Sequence, residues 1–125
     1  MFSSQDKLFM QRAIELAKES FDDGEVPVGA VIVQNETIIG EGKNKVIFEN
    51  DVTSHAEINA IRAASKKIKN YRLNDCSMYV TLEPCHMCAK AAVDARMSSI
   101  IFAASEPKTG SIISIDNFFD KKELN

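Results

Sequence analysis

The chain has 125 residues, 45% of them hydrophobic, and a formal net charge of −3. That length suits one domain, 1–125, with its own core, and the acidic balance excludes indiscriminate coating of nucleic acid while leaving room for a local basic patch. No apolar run is long enough to span a bilayer, the first seven residues lack the apolar core of a signal peptide, and the three cysteines make an odd number. The sequence therefore reads as cytoplasmic, without a membrane span or a disulfide framework.

In chain order, the first expected element is an amphipathic helix from Ser3 or Ser4 to Asp22. Met10, Ile14, Ala17 and Phe21 recur at helical spacing beside Phe9, Ala13 and Leu16. Asp22-Asp23-Gly24 stops it, and residues 26–33, with Pro27 near their start, read as a largely buried strand. Asn35-Glu36 turns the chain into an antiparallel partner over 37–42, followed by an irregular segment from Lys43 to Ser54. Ser54 then caps a helix running to about Lys67, with Ile58, Ile61, Ala64 and Ile68 facing inward. A strand over 77–82, a helix over 84–95 and a strand over 99–104 form a strand-helix-strand unit, which makes those two strands parallel. Beyond it lie a turn at 107–110, a short strand at 111–115 and a helix fragment at 116–120.

The stretch Thr81-Leu-Glu-Pro-Cys-His-Met-Cys88 carries the chemistry. Two cysteines three apart at a helix start point to one side, where the backbone N–H groups and the macrodipole ease thiol deprotonation. Pro84 is expected at the first helical position. Zinc needs further ligands, and the strongest other donor is His55 in Ser54-His-Ala-Glu57. Each residue also has a plain structural role open to it. Ser54 and Glu57 match a capping box, His55 alone suits an ordinary histidine, and a lone C-x-x-C suits a redox pair or half of a structural zinc site. Together they offer three ligands and an open fourth position, with His86, Cys76 and Asp51 as the spare donors.

At this point the sequence resembles the zinc-dependent cytidine and nucleoside deaminases, and within them the bacterial tRNA-specific adenosine deaminase branch. The shared words are Glu25-Val-Pro-Val-Gly-Ala30, Gly40-Glu-Gly-Lys-Asn44, His55-Ala-Glu-Ile58, Asn70-Tyr-Arg-Leu73, Tyr79-Val-Thr-Leu-Glu-Pro-Cys85, Met87-Cys88, Ala95-Arg96 and Pro107-Lys-Thr-Gly110. H-x-E with P-C-x-x-C marks the superfamily, and the surrounding words narrow it to the tRNA branch, itself a standard example of this chemistry.

The resemblance implies an α/β fold, a three-layer α/β/α cytidine-deaminase-like domain with a mixed central sheet, from which a C-terminal strand and helix after Asn125 are expected to be missing. It implies one Zn²⁺ per chain on His55, Cys85 and Cys88, with water as fourth ligand, and Glu57 as the proton carrier. Asn44 and the Ala56 backbone N–H are expected to bind the base, Val28, Leu82 and Pro84 to wall it, and Glu106 and Lys108 to touch neighbouring nucleotides. Glu106 departs from the aspartate usual before the Lys-Thr-Gly turn. The implied reaction is adenosine to inosine in RNA, at the wobble position of a tRNA anticodon loop or in another single-stranded nucleic acid, by a homodimer. The alternatives are a guanine or cytosine free-base deaminase, and a catalytically weak zinc module for RNA binding or dimerisation. Lys43, Lys45, Lys66, Lys67, Lys69, Arg72, Lys90 and Lys108 are expected to place positive charge near the pocket.

Overall fold

Helix starts and strand ends, not helix lengths, organise this fold. The structure, a computed structural model, describes residues 3–104. Its elements are α1 (Ser4–Asp22), β1 (Gly29–Gln34), β2 (Thr37–Lys43), α2 (Val46–Glu49), α3 (Ala56–Ile68), β3 (Cys76–Leu82), α4 (His86–Asp94) and β4 (Ser99–Ala104). The strands lie in the order β2-β1-β3-β4, with β1 antiparallel to both neighbours and β3 parallel to β4.

Side-chain alternation along the strands splits the core in two. Val31, Val33 and Tyr79 pack under Met10, Ala13 and Leu16 of α1. Ala30, Ile32, Met78 and Val80 point the other way, against Ala56, Ala60 and Ala64 of α3 and Ala92 of α4. The three expected layers and the mixed sheet are therefore present. α1 is closed at its start by a reciprocal capping box between Ser3 and Asp6, and Asn35 and Glu36, both at positive φ, make the two-residue hairpin turn between β1 and β2.

Close helix approach explains why some expected inner faces shift. An added Cβ on Gly42 would lie 2.1 Å from the Ala56 carbonyl oxygen, and one on Gly29 2.0 Å from that of Ala13. Helices that near the strand backbone can present only small residues, so alanines form the inner stripe of α3 while Ile58, Ile61 and Ile68 are partly buried at its flanks. On α1, Phe21 is exposed and Ser20 is buried in its place, donating its hydroxyl to the Asn44 carbonyl.

Four expected boundaries are corrected. β1 begins at Gly29, not Val26, because a tight turn from the Val28 N–H to the Val26 carbonyl lifts residues 26–28 off the ladder. The segment after β2 contains α2. Ser54 does not cap α3. His55 occupies the cap position, while the Ser54 hydroxyl donates to Glu49 and accepts from the Asn59 amide. Pro84 is not the first residue of α4. Proline keeps the preceding Glu83 extended, the Glu83 N–H pairs with the Ala104 carbonyl, and the chain turns helical only after Cys85, the true cap. The elements expected at 107–120 lie outside the described residues.

Candidate active site and metal centre

The cap positions of two helices converge here. His55 caps α3, Cys85 caps α4, and Cys88 stands in the first turn of α4. His55 Nδ1 lies 3.7 Å from Cys85 Sγ and 3.5 Å from Cys88 Sγ, and the three ligand atoms all fall within 4.8 Å of one another. Tetrahedral zinc, with Zn–S and Zn–N bonds of ordinary length, requires an N···S separation of about 3.6 Å. The donor set and its spacing thus fit a metal ion. The spare donors do not join it: Cys76 is buried in β3 beside the Asn74 carbonyl, Asp51 accepts from the Thr53 N–H and hydroxyl, and His86 projects outward.

The local electrostatics suit thiolate ligation. The Cys85 thiol is lowered to about 5, chiefly because the Cys88 thiol donates to it, against the opposing effect of burial. Cys88 is pushed up by that same bond and by its own burial.

Glu57, in the first turn of α3, is only 5% exposed. Burial raises its carboxyl to about 7, offset in part by a backbone hydrogen bond. A carboxyl poised near neutrality can both accept and return a proton, and the reciprocal capping box with Ser54 that its spacing suggested is not formed.

His55, Glu57 and Cys85 open on one cavity of about 360 Å³, which Val28, Ala56 and Leu82 also line. Pro84 is fully buried and is not on the lining. Asn44 reaches the cavity, but its amide is already engaged: Nδ2 donates to the Val26 carbonyl and Oδ1 accepts the Val46 N–H, both at 3.2 Å. Each group keeps one further hydrogen-bonding capacity for a ligand. Ala56 sits at the first helical position, where N–H groups have no intrahelical partner. Glu106 and Lys108 lie outside the described residues.

Sequence reasoning assigned no role to five other lining residues, Glu25, Val26, Val46, Ile47 and Glu83. Glu25 is 6% exposed, and its two carboxylate oxygens accept the N–H groups of Ile47 and Phe48. A lone glutamate after Asp22-Asp23-Gly24 gives no periodic signal, and the shared word Glu25-Val-Pro-Val-Gly-Ala30 assigned it no role. The expected basic surface also divides. Lys43 is tied to Glu19 and Asp23, and Lys90 to Asp94, whereas Lys66, Lys67 and Lys69 stand at the far end of α3, about 20 Å from its start at 1.5 Å per residue.

Comparison with known proteins gives a consistent picture. A family model described as MafB19-like deaminase matches residues 3–124. The chain is 48% identical over 124 residues to the tRNA-specific adenosine deaminase of Haemophilus influenzae, spanning 98% of this chain and 72% of that protein. A solved structure from work on A-to-I editing by tRNA:A34 deaminases at the wobble position of transfer RNA matches with a TM-score of 0.92 at 39% identity, covering 95% of this chain and 92% of that one. A guanine deaminase from Bacillus subtilis matches with a TM-score of 0.77 at 45% identity, covering 79% of this chain and 64% of that one.

Proposed function

The chain belongs to the family of tRNA-specific adenosine deaminases, and from that premise we propose that it hydrolyses adenosine to inosine in RNA, at the wobble position of a tRNA anticodon. The observation that carries this reading is the meeting of His55, Cys85 and Cys88, with His55, Cys85 and the buried carboxyl of Glu57 opening on one cavity. We further propose that residues 1–125 act as one deaminase domain and that the protein works in the cytoplasm as a homodimer.

His55, Cys85 and Cys88 would hold zinc, which when bound supplies Lewis-acid activation of a water at near-neutral pH. Glu57 takes a proton from the attacking water as the oxygen bonds to C6 of adenine. It gives that proton to the ring nitrogen N1, then takes the remaining proton from the new C6 hydroxyl and gives it to the exocyclic amine, whose C–N bond breaks to release ammonia. The balance is adenosine plus water to inosine plus ammonia. The remaining capacity of the Asn44 amide and the Ala56 N–H orient the base, and Val28 and Leu82 exclude bulk water from its faces. The held geometry of Asn44 supports this role, since a side chain already fixed at two atoms loses little freedom when it binds.

Nucleoside analysis after incubating the zinc-loaded protein with an anticodon stem-loop tests the proposal. One inosine per RNA at the target position, with no turnover of free guanine or cytosine, is the expected result. Turnover of guanine without inosine formation would instead favour the free-base reading suggested by the guanine deaminase likeness.

A further inference from the structure

Asn59, the fourth residue of α3, does not line the cavity that carries the chemistry. It stands two positions after Glu57, so on the helix the two side chains project about 200° apart. Its amide nevertheless joins both halves of the site. Nδ2 donates to the Lys43 carbonyl at 2.9 Å and to the Ser54 hydroxyl at 3.0 Å. Lys43 immediately precedes Asn44, whose side chain reaches the cavity, and Ser54 immediately precedes His55. The short side chain spans this distance because β2 runs against α3, where a Cβ on Gly42 would lie 2.4 Å from the Ala60 nitrogen.

The direction of each bond is set by chemistry. A carbonyl can only accept, so the amide must turn its NH₂ and not its oxygen towards Lys43. The Ser54 hydroxyl, fully buried, accepts from Asn59 and gives its own proton to Glu49 at 2.5 Å. The Lys45 N–H also donates to the Ser54 carbonyl at 3.0 Å. That backbone bond alone leaves the two segments free to pivot about it, and the Asn59 amide supplies the further points that fix their orientation.

We propose that Asn59 is a positioning residue that fixes Asn44, which orients the base, against the metal ligand His55, acting through the residue that precedes each. The proposal rests on the deaminase reading above and deepens it, because attack at C6 needs the base and the attacking water held at one separation.

The test compares wild type with Asn59→Leu, which keeps the volume without a polar atom, and Asn59→Asp, which keeps the shape but cannot donate. Ile32→Val, a truncation of a core residue that lines no cavity, supplies the control for lost stability. With an anticodon stem-loop and zinc-loaded protein, both Asn59 variants should raise KM by about threefold to about tenfold and lower kcat. Competition with a fluorescent chelator should show zinc affinity lowered by about threefold or more in the same variants. The two losses should separate by background: Asn59→Leu should leave KM nearly unmoved when Asn44 is already alanine, and zinc affinity nearly unmoved when Ser54 is already alanine. Losses no greater than those of Ile32→Val, a loss in KM or zinc affinity alone, or full additivity in both backgrounds would overturn the positioning role. Absence of inosine from wild type would sink the deaminase reading itself, a separate failure, since the chelator comparison needs no turnover.

Discussion

His55 Nδ1 lies 3.5 Å from Cys88 Sγ although 33 residues separate the two, because α3 and α4 begin side by side. Each helix start would contribute part of one coordination sphere, so a bound metal would tie the two helix starts together. Loss of the metal should therefore cost stability as well as activity. His55→Ala and Cys88→Ala should each lower the zinc content from one per chain towards none and lower the melting temperature. Cys76→Ala should retain the metal. Elemental analysis with thermal unfolding, before and after chelation, checks this, and metal retained by Cys88→Ala would break the assignment.

Glu57 now stands free of the capping role that its spacing from Ser54 suggested. Glu57→Gln keeps the size and much of the hydrogen bonding but cannot carry a proton. Zinc content and fold should persist while single-turnover rate falls by at least ~10²-fold, the lower range for a positioned acid or base. A rate near wild type would move the proton transfer to another group.

The legibility of this chain follows the range of each interaction. Period and turn chemistry placed α1 and the Asn35-Glu36 hairpin, because helix amphipathicity and a two-residue turn are local properties. The metal triad was legible through fixed ligand chemistry, although nothing local brings His55 to Cys85. What could not be read were features decided by backbone approach and by buried polar partners. The glycines of β2 decide that α3 packs through alanines, and the Glu49 and Asn59 side chains decide that Ser54 is not a cap. α2 depends on a carboxylate more than twenty positions earlier, which no window of sequence around Val46–Glu49 contains.

Arg12 and Glu41 pair through two hydrogen bonds of 2.7 and 2.9 Å, joining α1 to the edge strand β2. The guanidinium holds the Glu41 carboxyl below its ordinary value, with burial opposing. A lowered folded value means that the stabilisation is present above the unfolded value of about 4.3 and is lost as pH falls through the folded one. Both side chains are about a third exposed, 35% and 36%, so solvent screening limits the effect to about 0–1 kcal/mol. Glu41→Gln should lower the urea midpoint slightly at pH 7, and the difference between the two proteins should shrink as pH falls below the ordinary carboxylate range. A difference that persists undiminished in acid would show that something other than ionisation of Glu41 is responsible.

Gly42 offers the sharpest test of how the sheet positions the chemistry. A Cβ there would lie 2.1 Å from the Ala56 carbonyl oxygen and 2.4 Å from the Ala60 nitrogen, both backbone atoms that no rotamer change can move aside. Gly42→Ala must therefore push α3 away from β2, and it pushes at the end that carries His55 and Glu57. Overpacking of this kind costs about 1–3 kcal/mol or more, and here it should also weaken zinc binding by displacing one ligand from the other two. Gly29→Ala is the comparison, since its Cβ would strike the Ala13 carbonyl and displace α1 on the opposite face. It should lower stability comparably while leaving zinc affinity nearer to wild type. Gly24→Ala meets no atom within 4 Å and strains only a positive φ of 82°, so its cost should be smaller and independent of metal. Competition with a fluorescent chelator, measured alongside unfolding for all three variants, separates the effects. Wild-type zinc affinity in Gly42→Ala would mean that the His55 end of α3 is held by its metal and not by the strand beneath it.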